Sequence, residues 1–162
     1  MDVLDITFRA ESGIEKKLSN LYPYRFVIDN IEVESFEGWI QSLRSPEQWF
    51  KEQSYGLTGF SAWKKGQGID WWTKQELYWL DRKINRQSEE YTELITRAYD
   101  CLYEQCEDFR NCLKESIPYK LEHSVGRGNK SETLMTRVEY LFQMNRLRDK
   151  LTERKFYNLF EI

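Results

Sequence analysis

Apolar positions recur along the chain with two different periods, and the alternation between them predicts the elements. From Tyr24 to Glu34, Phe26 and Ile28 alternate with polar or smaller residues, Asp29-Asn30 supplies a turn, and Ile31 and Val33 resume the pattern. Period-two alternation around such a turn predicts a β-hairpin. Ser35 then stands as an N-cap before Phe36, Trp39, Ile40 and Leu43, whose three- and four-residue spacing predicts a helix ended by Pro46. A second short helix is expected over Glu47 to Leu57, and Gly56, Gly59, Gly66 and Gly68 make the next stretch turn-rich. Trp71 to Lys83, with Trp72, Leu77, Trp79 and Leu80 as its large residues, is expected as a further helix.

The strongest helical signal follows. Ser88 caps a face made by Tyr91, Leu94, Ile95, Ala98, Leu102, Cys106, Phe109 and Leu113, with a break expected near Cys106-Glu107-Asp108. After Pro118 come a short apolar-polar piece from Tyr119 to Ser124 and the loop Gly126-Arg127-Gly128-Asn129-Lys130. Thr133 to Arg148 reads as the last helix. The pattern therefore predicts an α+β fold: a helix-dominated single domain with a small N-terminal β-hairpin or sheet, over residues 1–148. Asp149 to Ile162 forms a C-terminal extension, basic at its start and aromatic at Phe156, Tyr157 and Phe160. The chain shows no internal repeat, low-complexity tract or flexible linker.

Composition narrows the function. The 162 residues suffice for one domain with a sizeable core. Hydrophobic residues at 40% and charged residues at 31% fit a soluble globular protein. Aromatics reach 15%, more rings than a core of this size requires, so some are expected to line a pocket or face a planar ligand. The formal charge of -3 excludes a protein that coats nucleic acid, but not one that meets a nucleotide through a local basic patch. No apolar run approaches the ~20 residues of a membrane span, and Met1 to Ala10 carries Asp2, Asp5 and Arg9 where a signal peptide would be apolar. The expected location is the cytoplasm, with no membrane contact.

Cysteine and histidine usage removes further chemistry. Cys101 and Cys112 share a helical face but are separated by ~16 Å of rise, and Cys106 points away from both. They are expected as free thiols in a reducing compartment. His123 is the only histidine, so zinc sites built on two histidines are excluded, and no Cys-x-x-Cys pair exists. Walker A, G-x-G-x-x-G and G-x-S-x-G motifs are absent too. No metal and no cofactor are expected.

Three constellations remain. Glu37 falls at the second helical position after Ser35, where free N–H groups and the helix dipole favour a carboxylate. Dipole complementation alone accounts for such a residue; the apolar company of Phe36, Trp39 and Ile40 points to a lined pocket. The loop from His123 to Lys130 is a donor-rich turn suited to a pyrophosphate or a nucleic-acid backbone, or else an ordinary basic surface loop. Lysines beside indoles, at Trp63-Lys64-Lys65 and near Trp71-Trp72, could meet an anionic ligand whose base stacks on the ring, although most such pairs are packing. Glu32 and Glu34 alternate on the solvent side of the hairpin.

Taken in order, these segments resemble the NADAR (YbiA-like) family. The likeness starts at Leu18-Ser19-Asn20-Leu21-Tyr22-Pro23 and is most specific at Ser35-Phe36-Glu37-Gly38-Trp39-Ile40-Gln41-Ser42-Leu43. It continues through Ala62-Trp63-Lys64-Lys65-Gly66, Trp72, Leu77-Tyr78-Trp79, Glu90-Tyr91, Ala98-Tyr99-Asp100, Leu121-Glu122-His123-Ser124-Val125-Gly126, Glu132-Thr133-Leu134-Met135-Thr136 and Leu147-Arg148. Asn30 stands where the family usually has glycine, and the W-G-x-G segment of some members is absent.

The resemblance implies hydrolysis of an N-glycosidic bond at a ribose anomeric carbon. Some members cleave a phosphoribosylated pyrimidine of riboflavin synthesis; others remove ADP-ribose from guanine in DNA, reversing a toxin's modification. It makes Glu37 the expected catalytic carboxylate. A competing Schiff-base route would use Lys65, or Lys64 beside it. Asn20 and Gln41 are expected on ribose hydroxyls, Trp39 or Trp72 on the base, and Arg127 with Lys130 on phosphate. Tyr99, Asp100, His123, Ser124 and Gly126 complete the expected substrate contacts. Removal of ADP-ribose from guanine in DNA is the first expectation, with the riboflavin intermediate and a non-catalytic ADP-ribose or NAD-binding module as alternatives. No obligate protein partner is expected.

Overall fold

A computed structural model describes residues 1–158, with side chains through residue 153. Among the described residues the order is β1 (Val3–Asp5), α1 (Ile14–Lys17), β2 (Phe26–Ile28), β3 (Ile31–Val33), α2 (Phe36–Ser42), α3 (Gln48–Tyr55), α4 (Gly59–Lys65), β4 (Glu76–Trp79), β5 (Arg82–Asn85), α5 (Glu89–Gln105), α6 (Glu107–Ser116), β6 (Lys120–Glu122) and α7 (Arg137–Asn158). The strands form three separate pairs: β1 with β6 in parallel, and β2–β3 and β4–β5 as antiparallel hairpins. The fold is α+β and helix-dominated, as the pattern predicts.

The β2–β3 hairpin forms as expected, in the register Phe26 to Val33 and Ile28 to Ile31. Its turn needs positive φ at both corners, and Asp29 (φ 50) and Asn30 (φ 65) adopt it, as short polar side chains can. Ser35 caps α2 by accepting from Gly38 N at 3.0 Å. The long helical face breaks at Cys106, whose extended backbone separates α5 from α6. The three cysteines are free thiols.

Three expectations are corrected. Trp71 to Lys83 is not a helix: Leu77, Trp79 and Ile84 are buried in alternation on the β4–β5 hairpin, while Trp72 and Leu80 are exposed. Its apolar residues fit period two, and Leu80 at φ 53 makes the turn. The glycine-punctuated stretch, in turn, contains α4, which buries Ala62. The last helix begins at Arg137, four residues later than expected. Thr136 and Glu139 start it as a capping box, each backbone N–H bonded to the other's side chain at 2.8 and 3.1 Å. Tyr91 Oη draws the preceding strand of chain inward by donating to Leu134 O at 2.5 Å.

One aromatic core joins these parts. Phe36 stacks on Tyr99 at 3.9 Å, and Trp39 packs edge-on to Phe36 and Trp79 at 5.3 and 5.8 Å. α7 closes the core with Tyr140, Met144 and Leu147, all fully buried. It runs past Arg148 without a break, so Asp149 continues the helix. Phe156 and Tyr157 have side chains outside the described set, and Phe160 lies outside the described residues. No helix among the described residues is long and apolar enough to cross a membrane.

Candidate active site

The sequence Ser35-Phe36-Glu37-Gly38 places Glu37 in the first turn of α2. Its backbone N–H is bonded to Asn20 O at 3.0 Å, which ties the helix start to the loop after α1. Gly38 makes this close packing possible: a Cβ there would come within 2.6 Å of Ser54 O and 2.7 Å of Leu57 O. Glu37, Ile40, Gln41 and Arg44 then fall on one stripe by helical spacing, and all four line a cavity of about 560 Å³. The size suits a nucleotide-scale ligand.

Glu37 is only 7% exposed. Gln41 Nε2 donates to Glu37 Oε1 at 2.7 Å. Burial pushes the Glu37 carboxyl above its ordinary pKa, and the Gln41 hydrogen bond and the Arg44 charge offset this only in part. Arg44 donates from Nη1 to Gly66 O at 2.9 Å. Its guanidinium is shifted down by burial, an effect countered by Glu37 and added to by nearby Arg127.

The opposite wall comes from the chain on either side of the β1–β6 pair. His123 Nδ1 lies 2.8 Å from Ile6 O, so this nitrogen carries the proton and donates. Burial lowers the His123 pKa, leaving Nε2 as a lone-pair acceptor. The ring packs on Tyr140 at 4.6 Å. Gly126 permits this: a Cβ would lie 2.7 Å from His123 Cδ2 and 3.0 Å from Arg137 Cβ. The loop is pinned by Arg137, whose backbone N donates to Arg127 O and whose side chain donates to Gly126 O, both at 2.8 Å.

Phe8, Phe60 and Trp63 make an aromatic side to the cavity, Phe8 and Phe60 meeting edge to face at 5.2 Å. Phe60 and Trp63 are about half exposed. Among the described residues, Glu37 is the one carboxylate lining this cavity, against the three arginines Arg9, Arg44 and Arg127. A chain of formal charge -3 thus concentrates cations around one buried acid. Among the described residues no group of three His, Cys, Asp or Glu is arranged to hold a metal.

The structure brings together Asn20, Glu37, Gln41, His123, Gly126 and Arg127 of the expected site residues. Tyr99 stands behind the wall, donating to Asn20 Oδ1 at 2.7 Å. The others lie elsewhere. Trp39 is wholly buried in the core. Lys65 Nζ donates to Gln53 Oε1 and sits over the rings of Trp49 and Phe50, on the far side of α4 from the cavity lining. Lys64 and Trp72 are exposed and do not line the cavity. Asp100 pairs with Arg146 at 2.7 Å and Lys150 at 3.2 Å. Ser124 is bonded to the Asp5 carboxylate through its N–H at 2.8 Å and through its hydroxyl. Lys130 borders a second hollow beside Val138 and Phe142. Trp39 is held away by the core, and Lys65, Asp100 and Ser124 by nearer partners.

Arg44, Arg9, Phe8 and Phe60 line the cavity without having been singled out from sequence. Arg44 lies seven positions after Glu37, a same-face spacing that carries a signal; Arg9 and Phe8 come from a loop and carry none. The family model described as bacteriophage protein GP30.3 matches residues 13–149, a span that includes every element from α1 into α7. The chain belongs to the bacteriophage GP30.3 family. A relative from Enterobacteria phage T4, named as an uncharacterized 17.1 kDa protein in the Gp30-rIII intergenic region, is 32% identical over 136 residues. The match covers 83% of this chain and 90% of that protein. The NMR structure of E. coli YbiA matches with a TM-score of 0.63 at 13% identity, covering 96% of this chain and 88% of that one. This GP30.3 family member therefore has the YbiA-like fold, in agreement with the resemblance to NADAR proteins in the order of its motifs.

Proposed function

We propose that this protein is an N-glycosidase that hydrolyses a ribose C1′–N bond, with ADP-ribose on a guanine base of DNA as substrate. The observation that carries this reading is Glu37: a buried carboxylate, alone of its kind among the described residues lining a nucleotide-sized cavity, beside Arg9, Arg44 and Arg127 and the rings of Phe8, Phe60 and Trp63. Bond cleavage passes through an oxocarbenium-like state at C1′. The C1′–N electron pair leaves with the base, which takes up a proton from solvent, balanced by the one that the attacking water gives up through Glu37. Glu37 as carboxylate stabilises the positive charge and accepts a proton from the water whose oxygen bonds to C1′. Arg9 and Arg127 meet the diphosphate, and the half-exposed Phe60 and Trp63 stack on the base. His123 Nε2 and Asn20 accept and donate at ribose hydroxyls. Such an activity would reverse a toxin's modification, as an antitoxin or a counter to defence against phage.

The test is direct. The protein and its Glu37→Gln variant are incubated with a guanine-ADP-ribosylated oligonucleotide and with the phosphoribosylated pyrimidine of riboflavin synthesis, and release of base or sugar is followed. Turnover of the first substrate by wild type and its loss in the variant support the proposal. Turnover of the second alone moves the substrate to the metabolic intermediate. Tight ADP-ribose binding with no turnover of either makes the protein a binding module and overturns the enzyme reading.

A further inference from the structure

We propose that Arg44 is a positioning residue that orders the side-chain amide of Gln41, in a notch left open by Gly66, so that Glu37 is held as a hydrogen-bonded carboxylate. The inference rests on Glu37 being the reacting acid of the proposed hydrolysis, but its test does not require turnover.

Three observations converge on the notch. Gln41 is 3% exposed and its Nε2 is committed to Glu37, while its Oε1 is buried with no hydrogen-bond partner. Arg44 Nε is likewise buried without a partner, its Nη1 being engaged by Gly66 O. A Cβ at position 66 would lie 1.9 Å from Gln41 Oε1 and 2.9 Å from Arg44 Nε, so both atoms face the same small space and only glycine leaves it free. The amide lies between a carboxylate and a guanidinium. With Nε2 toward Glu37 and Oε1 toward Arg44, both ends of its dipole are matched. The flipped amide would set its carbonyl against the carboxylate and its NH₂ against the guanidinium, two repulsive contacts at low dielectric.

Arg44 thus acts through Gln41: it penalises the flip that would let a protonated Glu37 donate to Oε1. The other titratable groups around the pair are Tyr91 and Tyr99 of α5, Arg127 of the loop before α7, and Arg9, His123 and Tyr140, which line the same cavity. The tyrosines, all raised by burial, stay neutral, and Arg127 repels the Arg44 guanidinium.

The experiment follows the Glu37 carboxyl carbon by NMR against pH in carbon-13 glutamate-labelled protein, the signal being assigned by its absence in Glu37→Gln. Arg44→Met is expected to raise the Glu37 midpoint by about half a pH unit or more. In a Gln41→Leu background the same substitution is expected to raise it by less than half as much. Gly66→Ala, which keeps both charged groups but fills the notch, displacing the amide most and crowding Arg44 Nε, is expected to raise it too. An unchanged midpoint in Arg44→Met overturns the proposal, as does an equal shift with and without Gln41, which would mean bare charge acting through space. If Arg44→Met does not fold, Gly66→Ala and Arg44→Lys decide by the same midpoint, and no shift in either overturns it. Absence of turnover in wild type would sink the hydrolase reading and leave these midpoints where they are, so the two failures are distinguishable.

Discussion

Gln41 stands one helical turn beyond Glu37 and donates to it at 2.7 Å, and the pair forms the acidic side of a cavity otherwise rich in arginine. The amide expected on a ribose hydroxyl is instead committed to the carboxylate. In the proposed arrangement it helps to hold the acid as a carboxylate.

Replacing Glu37 by Gln is expected to lower hydrolysis by about 10²–10⁴-fold, the usual contribution of a positioned acid or base. The same change is expected to stabilise the fold at neutral pH by roughly 0.5–2 kcal/mol, because a buried charge is removed from a tight site. Initial rates and urea unfolding measure the two effects, and loss of both activity and stability would mean a merely structural residue.

Activity and stability should run in opposite directions with pH around this group. Burial raises the Glu37 pKa in the folded protein, so over the window from the ordinary glutamate value to the raised one the native state holds more protons than the unfolded state. Stability from this residue is present below the window and lost as pH rises through it. The rate, which needs the carboxylate, increases over the same window. The stability difference between Glu37→Gln and wild type is therefore expected to grow with pH, in step with the acid limb of the rate profile.

Arg86 is buried at 1% exposure of its side chain and pairs with Glu139 at 2.6 Å, while its Nε donates to Thr133 O at 2.9 Å. Glu139 sits below its ordinary pKa although burial works against it, because the hydrogen bonds from Arg86 and Thr136 N outweigh that cost. Arg86→Met, leaving Glu139 unpaired, is expected to destabilise by roughly 3–5 kcal/mol. It should also loosen the Thr133–Met135 wall, seen as faster amide exchange there than in α5.

Lys65 lies away from the cavity, so Lys65→Ala is expected to change the rate by about twofold or less, within the range of surface substitutions. Borohydride added during turnover is expected to leave no sugar on the chain. A sugar mass on the tryptic peptide carrying Lys65 would restore the Schiff-base route.

Phe60→Ala combined with Trp63→Ala removes both half-exposed rings of the rim. Loss of a stacked base is worth about 1–3 kcal/mol, so KM for an oligonucleotide substrate should rise roughly tenfold or more with kcat little changed. An unaltered KM would place the base elsewhere.

What the chain determines locally was legible. The Asp29-Asn30 turn, the Ser35 cap, the α5–α6 break at Cys106 and the placing of Glu37 at a helix start follow from backbone preferences and periodicity within a few residues. Trp71 to Lys83 failed because a short aromatic run satisfies two periods at once, and burial of Leu77, Trp79 and Ile84 against the rest of the core selects the strand. The site divided in the same way. Asn20, Glu37, Gln41, His123, Gly126 and Arg127 were named from sequence, since they sit in ordered motifs. Arg44 carried a same-face signal seven positions after Glu37, but whether Trp39 faced a ligand or the core, whether Lys65 reached the acid, and that Arg9, Phe8 and Phe60 would close around it were decided only by tertiary structure. Those facts depend on contacts between segments distant along the chain, such as Ile6 with His123 and Arg44 with Gly66, which no local pattern encodes.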